Sequence, residues 1–448
     1  MGGSRPYAVD LLRLAGPVAL SRLGIIGMAI ADVVVVGQLA PDELPHQALG
    51  WAPTTVFVVA GIGLLQGIQV LAARSVGEKN PLGAGVALRR GLVLALIAGV
   101  LSGLAMVAAG ERMFTFFGIE AALARPSAEV MAIYALSVPL QLIYVGGSFF
   151  LEAIKRPGAA TIVMWGGNAV NLALNLLWVP EHGAIGSAWA TVGARLFLVA
   201  ALFAWIWYMR GGAQFGVRSL GHAGPNYRAL LAVGVAAAVS QAVEAGAFAA
   251  MTVIAGRLGA DLVAAYQILL NLMAFVFMIA LGFAAATAVL VSEAVGRQAG
   301  ADATRAGWTG VAVNTIAMLA AAVLIYVFAD QIGRAYTADL SLAALIASLM
   351  WCASLILAPD GAQVVTASAL RARGDNWFPT FSHILAYAIV MPVLGYWLAE
   401  REGMGVAGLM FAIFWASVLS AAVLLARWWV LARTRPITPE LAAAANAD

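Results

Sequence analysis

The chain has 448 residues, of which 63% are hydrophobic and only 10% charged, and its net charge is +3. Soluble domains usually carry about a quarter charged residues, so this composition excludes a soluble enzyme or nucleic-acid-binding domain and indicates an integral membrane protein. The single cysteine, Cys352, excludes a disulfide framework and a cysteine-based metal site.

Twelve hydrophobic segments are long enough to cross a bilayer, which takes about 20 residues of helix. They are predicted at residues 11–39, 50–73, 91–110, 128–151, 160–180, 186–209, 229–256, 262–292, 307–328, 341–370, 380–399 and 405–427. Lipid offers the backbone no hydrogen-bond partners, so each segment is expected to be a helix. The predicted fold is an all-α integral membrane protein with twelve transmembrane helices.

The basic residues predict the orientation. The termini and the loops after even-numbered spans carry 18 Lys and Arg residues, whereas the opposite loops carry five; Arg22 and Arg195 lie inside spans. Since cytoplasmic loops carry the excess of Lys and Arg, both termini are expected in the cytoplasm.

The two halves of the sequence form an internal repeat. An offset of 219 positions aligns Ser21 with Ser240, Gly63 with Gly282, and Leu151 with Leu370. We therefore predict an N-lobe at residues 1–215 and a C-lobe at 216–432, each with six helices. The lobes are expected to be related by a pseudo-two-fold axis along the membrane normal, with a disordered cytoplasmic tail at 433–448. Such repeats favour a secondary transporter over a channel.

Three acidic residues lie well inside predicted spans: Asp32, Glu244 and Asp360. A charge at mid-bilayer costs on the order of 3 kcal/mol, so such residues are usually functional. Under the 219-residue offset, their equivalent positions hold Met251, Ile25 and Gln141. Carboxylates that were needed to build each lobe should recur in both, so we interpret these three as functional.

Polar residues at a similar depth are candidate partners of Asp32. Asn171 and Asn175 share one helix face, and Thr191 lies near the outer start of the next span. A carboxylate with amide and hydroxyl oxygens suits Na⁺ or a mobile proton. Two structural alternatives stay open: the asparagines could bond between helices, and Arg195 could pair with a carboxylate. Arg22 is ten residues from Asp32, about 15 Å along the helix, which is too far for a direct pair.

Several segments together resemble the multidrug and toxic compound extrusion family, in particular its NorM-like bacterial branch. The similar segments are GMAIADVVVVGQL around Asp32, NLALNLLW followed by GAIGSAWAT, SQAVEAGAFAAM around Glu244, and DGAQVVTASALRARGD from Asp360. The resemblance covers essentially the whole chain. It implies a V-shaped pair of six-helix lobes in a bacterial cytoplasmic membrane, exporting cationic or amphipathic organic compounds in exchange for Na⁺ or H⁺.

The resemblance also implies roles for individual residues. A cation site in the N-lobe maps onto Asp32, Asn171, Asn175 and Thr191, and an acidic pair in the C-lobe maps onto Glu244 and Asp360. Pro17 matches a first-helix proline linked to bending. There are departures from the family pattern: some relatives carry an acidic residue where Asn171 and Asn175 stand, and some carry Tyr where Ile356 stands.

Other functions have less support. A lipid-linked precursor flippase of the same superfamily should have a cationic central cavity, whereas this chain has more acidic than basic residues in its spans. A membrane prenyltransferase needs paired Asp-rich motifs, and a channel needs a filter-like segment; neither is visible. We therefore expect a non-enzymatic antiporter that acts as a monomer, with organic substrates and membrane lipid as partners. No nucleic acid, resident metal or cofactor is expected beyond a transported Na⁺ or H⁺.

Overall fold

The computed structural model describes residues 7–116, 118–218, 223–337 and 339–434. These residues form helices and short connecting turns, with no strand among them. In chain order the helices are α1 (Tyr7–Leu39), α2 (Leu44–Gly77), α3 (Pro81–Phe116), α4 (Ala121–Ala153), α5 (Gly158–Tyr208), α6 (Tyr227–Arg257), α7 (Ala260–Gly296), α8 (Gly300–Val327), α9 (Ala329–Tyr336), α10 (Leu340–Arg373), α11 (Trp377–Arg401) and α12 (Gly405–Thr434). The predicted tail lies outside the described residues from residue 435 onwards.

The longest helix, α5, is two crossings joined by a sharp reversal. Its 51 residues would span about 77 Å if straight, far more than the bilayer core of about 30 Å. Gly183 interrupts it with φ 53° and ψ −131°. A Cβ there would also lie 2.7 Å from Cγ of Glu43, so glycine is required by backbone and space alike. Among the described residues, eleven helices are long and apolar enough to span a membrane, and this reversal gives the twelve predicted crossings.

The all-α membrane fold is therefore confirmed, while several helices differ from the predicted spans. Many continue beyond the apolar segment, as where α3 begins at Pro81 rather than residue 91. The short helix α9 was not predicted. Two stretches of α11, Ile384–Val390 and Trp397–Arg401, are π-helical. Such local widening is frequent at functional sites, and one of these stretches contributes a side chain to the site described below.

The described residues divide by their contacts into two units. The first unit is Leu20–Ala238, and the second is Val239 onwards together with α1 up to Ala19. The predicted lobe boundary, near residue 215, lies in the connection between α5 and α6. The division by contacts instead falls inside α1 and inside α6. The reason is close helix packing at small residues.

Two glycines mark that packing, one in each unit. In the second unit, a Cβ on Gly282 of α7 would lie 2.8 Å from the carbonyl oxygen of Ala15 in α1. In the first unit, a Cβ on Gly63 of α2 would lie 2.7 Å from Cα of Ala238 in α6. The two glycines are 219 positions apart, so equivalent helix pairs of the repeat make the same close approach.

Candidate functional site

The reversal in α5 positions the polar residues of the first unit. Asn175 and Thr191 are each eight residues from Gly183, on opposite sides of it. Because the chain turns back at Gly183, the two residues come to the same depth on antiparallel arms. Asn171 lies one helical turn before Asn175 on the same face. Asp32 faces these three residues from α1.

Asp32 is 5% exposed and accepts three hydrogen bonds. Its Oδ1 accepts from Nδ2 of Asn171 at 2.9 Å and from Nδ2 of Asn175 at 2.7 Å. Its Oδ2 accepts from the Thr191 hydroxyl at 2.9 Å. The structure thus brings together the four residues that the sequence places at one depth. Three donors aimed at one buried carboxylate offset part of the cost of removing it from water.

The two asparagines leave acceptor atoms unused. Both side chains are fully buried, and Oδ1 of Asn171 and Oδ1 of Asn175 have no hydrogen-bond partner within the described part of the chain. Buried carbonyl oxygens are normally paired, so unpaired ones deserve an explanation. Together with the carboxylate of Asp32 they provide hard oxygen atoms of the kind that bind small cations.

A buried arginine completes this site; the sequence indicated Arg195 only as a possible structural partner of a carboxylate. Arg195 follows Thr191 by one helical turn, and its charge acts on Asp32. Its Nη1 donates to Oγ of Ser137 at 2.6 Å, and its guanidinium lies 5.3 Å from the ring centre of Trp51. The carboxylate is therefore partly balanced by a cation that belongs to the protein. In the sequence, its position inside a predicted span left such a pairing open, and its spacing of one helical turn from Thr191 indicates which carboxylate it faces.

Arg22, another buried arginine of the first unit, has its own partner. Nη2 of Arg22 lies 3.1 Å from Oε1 of Glu152, and Gln69 and Ser148 also donate to that carboxylate. Glu152 was placed just beyond a predicted span, but α4 continues to Ala153 and buries it. Asp32 is thus not held by Arg22, as its distance along α1 indicated.

The second unit holds Asp360 in a network of its own. Asp360 is 8% exposed, and its Oδ1 accepts from the Tyr387 hydroxyl at 3.1 Å, from Ser417 at 3.2 Å and from Nε2 of Gln363 at 3.4 Å. Ile356 stands where some relatives carry a tyrosine on α10. Here the π-helical stretch of α11 supplies the hydroxyl instead, through Tyr387.

Glu244 lies in the same unit, and its charge acts on Asp360 and on Arg371. Arg371 is buried near the end of α10, with Nε and Nη2 unpartnered among the described residues. His383 is also buried and lies 2.7 Å, through Nδ1, from Oγ of Ser240. The second unit therefore combines two carboxylates with a guanidinium and an imidazole, whereas the Asp32 site combines one carboxylate with one guanidinium.

Comparison with known protein families gives two matches, one in each half of the internal repeat. The sequence profile of the MatE family matches residues 17–177 and again residues 236–397, which together make up more than half of the chain. The chain belongs to the MatE family. The two matches start 219 residues apart, the same offset that aligns the halves of the sequence.

Individual MatE relatives match over almost the whole chain. The "Probable multidrug resistance protein NorM" of Caulobacter vibrioides is 41% identical over 430 residues, which is 94% of this chain and 91% of the relative. The "Multidrug resistance protein NorM" of Burkholderia vietnamiensis is 31% identical over 442 residues, covering 94% and 93%. A solved structure described as the outward-facing conformation of a multidrug resistance MATE family transporter matches with a TM-score of 0.87 at 19% identity, over 95% of this chain and 96% of the other. At that identity the likeness shows the fold.

Pro17, the remaining residue that the family resemblance singled out, lies inside α1 without ending the helix. It is two residues before Ala19, where α1 passes from the second unit to the first. A proline removes one backbone hydrogen bond from a helix and weakens it locally. In this MatE chain the weak point thus coincides with the change of unit.

Proposed function

We propose that this MatE protein is a secondary antiporter that exports cationic or amphipathic organic compounds in exchange for Na⁺ or H⁺. The observation that carries the proposal is the buried carboxylate of Asp32, held by three donors from the two arms of α5. An ionised group at this depth is costly unless it binds a cation for part of the cycle. The relatives named above are multidrug resistance proteins, which supports an organic drug-like substrate.

The geometry around Thr191 supports binding of a proton. Its hydroxyl oxygen lies 2.9 Å from Oδ2 of Asp32 and 3.1 Å from the carbonyl oxygen of Ser187. When Asp32 is ionised, the hydroxyl donates to it. When Oδ2 is protonated, the hydroxyl can rotate, donate to Ser187 and accept from Asp32, since a hydroxyl both donates and accepts. The site thus takes up a proton without moving a helix.

The asparagines support binding of Na⁺ instead. The oxygen atoms Oδ1 of Asn171 and Asn175 are buried without partners, and they belong to side chains already next to Asp32. A flip of these amides would exchange nitrogen for oxygen and turn two oxygens towards a cation at the carboxylate. The four side chains of the site thus suit either coupling ion, and transport measurements decide between them.

In the second unit, Asp360 and Glu244 are proposed to bind the cationic group of the substrate. Asp360 is oriented by Tyr387 and Ser417, and the ring of Phe248 lies 6.4 Å from that of Tyr387. Carboxylates beside aromatic rings suit an organic cation. Separate acidic sites in the two units allow ion and substrate to compete for alternate states of the protein, as exchange requires.

The test is ethidium efflux from proteoliposomes that contain the purified protein, under an imposed Na⁺ gradient or an imposed pH gradient. One gradient should drive efflux, and Asp32→Asn should abolish it. Asp10→Asn, the same change at a partly exposed acid on α1, is the matched control and should transport normally. Efflux by Asp32→Asn at the normal rate would overturn the role of Asp32; absence of efflux under both gradients would overturn the antiporter.

Glu244→Gln and Asp360→Asn test the second unit. Loss of ethidium binding, with cation binding at Asp32 unchanged, would make these residues substrate ligands.

The excess of Lys and Arg on one side supports a cytoplasmic location of both termini in a bacterial inner membrane. We propose the monomer as the working unit, with Pro17 as a bending point in α1. The flippase alternative is not favoured, because the named relatives are multidrug resistance proteins over more than nine-tenths of the chain.

A further inference from the structure

A cavity of about 740 Å³ lies in the first unit where the turn between α4 and α5, the start of α5 and the end of α5 meet. Ligand sites in proteins commonly have volumes of 300–1,000 Å³. Its lining combines two arginines with aromatic and small apolar residues: Arg156, Arg210, Trp205, Tyr208, Ala201 and Ala204. The residues of the Asp32 site are not among those that line it.

Arg156 is held in place on the wall of this cavity. Its backbone N–H donates to the carbonyl of Leu151 at 2.8 Å, and its Nη1 donates to the carbonyl of Arg210 at 2.7 Å. The turn that follows Arg210 uses Gly211 at φ 75°, where a Cβ would lie 3.8 Å from Nη2 of Arg156. The guanidinium of Arg156 is therefore fixed by the backbone of Arg210, and both arginines line the cavity. A planar guanidinium presents donors that match a phosphate group.

The other walls suit a lipid rather than a soluble ion. Trp205 is 46% exposed and Tyr208 is 77% exposed. Aromatic residues at helix ends are typical of the level of the lipid head groups. Ala201 and Ala204 continue the lining along α5 towards the middle of its crossing. The cavity thus offers basic groups at the helix ends and apolar surface further along the helix.

We propose that this cavity binds the phosphate head group of an anionic phospholipid, with its acyl chains along the second arm of α5. The proposal rests on the orientation given under Proposed function, which places these helix ends in the cytoplasmic leaflet, where anionic lipids meet basic pockets. Two arginines would repel the cationic substrates of the transporter. A free phosphate ion would leave the apolar walls without a partner.

Native mass spectrometry of the purified full-length protein, titrated with phosphatidylglycerol or phosphatidylcholine, tests this. Arg156→Gln with Arg210→Gln should weaken phosphatidylglycerol binding about thirtyfold, or about fivefold per arginine, which corresponds to about 1 kcal/mol for each basic residue near an anionic lipid. Arg13→Gln with Arg305→Gln makes the same charge change at exposed arginines outside the cavity and should change the affinity little. Arg210→Gln alone keeps the carbonyl that holds Arg156, so it remains informative if the double variant does not fold.

A photoreactive phosphatidylglycerol shows where on the protein the lipid binds, and it should label peptides from residues 201–210. Equal affinity of the cavity and control variants, equal affinity for phosphatidylcholine, or equally tight binding of inorganic phosphate would overturn the proposal. The transport-deficient Asp32→Asn protein should bind the lipid normally. A failure of the lipid site is thereby distinguished from a failure of the antiporter.

Discussion

Arg22 and Glu152 are 130 positions apart in the sequence and form a buried ion pair, with Nη2 3.1 Å from Oε1. Phe149 covers the guanidinium, its ring centre 5.1 Å from Cζ of Arg22. The pair joins α1 to α4 within the first unit. Arg22 is the buried arginine of α1, and it pairs with Glu152 rather than with Asp32. The carboxylate of Asp32 accepts its hydrogen bonds from the two asparagines and Thr191.

Removing one partner of this pair should be strongly destabilising. Glu152→Gln leaves Arg22 buried without a counter-charge, and we expect the free energy of unfolding to fall by about 3–5 kcal/mol. Thermal unfolding in detergent measures the effect. Arg22→Gln combined with Glu152→Gln should recover much of the loss. Arg125→Gln, which breaks the exposed pair with Glu129, is the control and should cost at most about 1 kcal/mol. Equal effects of the buried and exposed changes would contradict the prediction.

Thr191→Val should weaken coupling while leaving the fold intact. The change keeps the shape of the side chain but removes the hydroxyl that donates to Asp32. A hydrogen bond to a charged group contributes about 1.5–3 kcal/mol, so the ion concentration for half-maximal efflux should rise at least about tenfold. Thr191→Ser keeps the hydroxyl and should stay close to the parent protein. If valine and serine behave alike, the hydroxyl has no part in ion binding.

Arg195→Gln should change ion affinity in the opposite direction. The guanidinium repels any cation that approaches Asp32, because two unit charges at close range interact with up to about 4 kcal/mol at the effective dielectric constant of a protein. We expect half-maximal efflux at an ion concentration about tenfold lower. Arg195→Lys retains the charge and should not show this gain. Weaker ion binding in the glutamine variant would instead assign Arg195 a structural role through Ser137 and Trp51.

Tyr387→Phe should weaken substrate binding in the second unit. It removes the hydroxyl that donates to Asp360 at 3.1 Å, and we expect about a tenfold loss of ethidium affinity. Tyr266→Phe is the matched control, because the buried Tyr266 hydroxyl has no hydrogen-bond partner in the described structure. Fluorescence titration of ethidium measures both variants. If Tyr387→Phe instead changed the ion concentration for half-maximal efflux and left the ethidium affinity unchanged, ion and substrate would not have separate sites.

Gly183→Ala should disturb the Asp32 site indirectly, through the reversal in α5. An alanine at φ 53° and ψ −131° is strained by about 1–3 kcal/mol, and its Cβ would meet Glu43. We expect lower thermal stability and weaker ion coupling together, because the reversal sets the depth of Asn175 and Thr191. Gly158→Ala, at the open start of the same helix, is the control. Parent-like stability of the Gly183 variant would show that the reversal tolerates other backbone angles.

The sequence alone determined the membrane fold and most of one site. Runs of about 20 apolar residues can only be helices in lipid, and the offset of 219 residues fixed the repeat. Asp32, Asn171, Asn175 and Thr191 could be assigned to one depth because position along a membrane helix follows directly from residue number. The cost of a charge in lipid then marked Asp32, Glu244 and Asp360 as residues with a role.

Tertiary structure decided which side chains meet across helices. Position in the sequence sets depth but not the direction in which a helix face points, so the pairing of Arg22 with Glu152 was not visible. Tyr387, which bonds to Asp360, lies in a π-helical part of α11, a local winding that apolar composition does not reveal. Packing of small residues likewise assigned the first part of α1 to the second unit. These features depend on contacts between distant segments, whereas hydropathy records only how each segment meets the lipid.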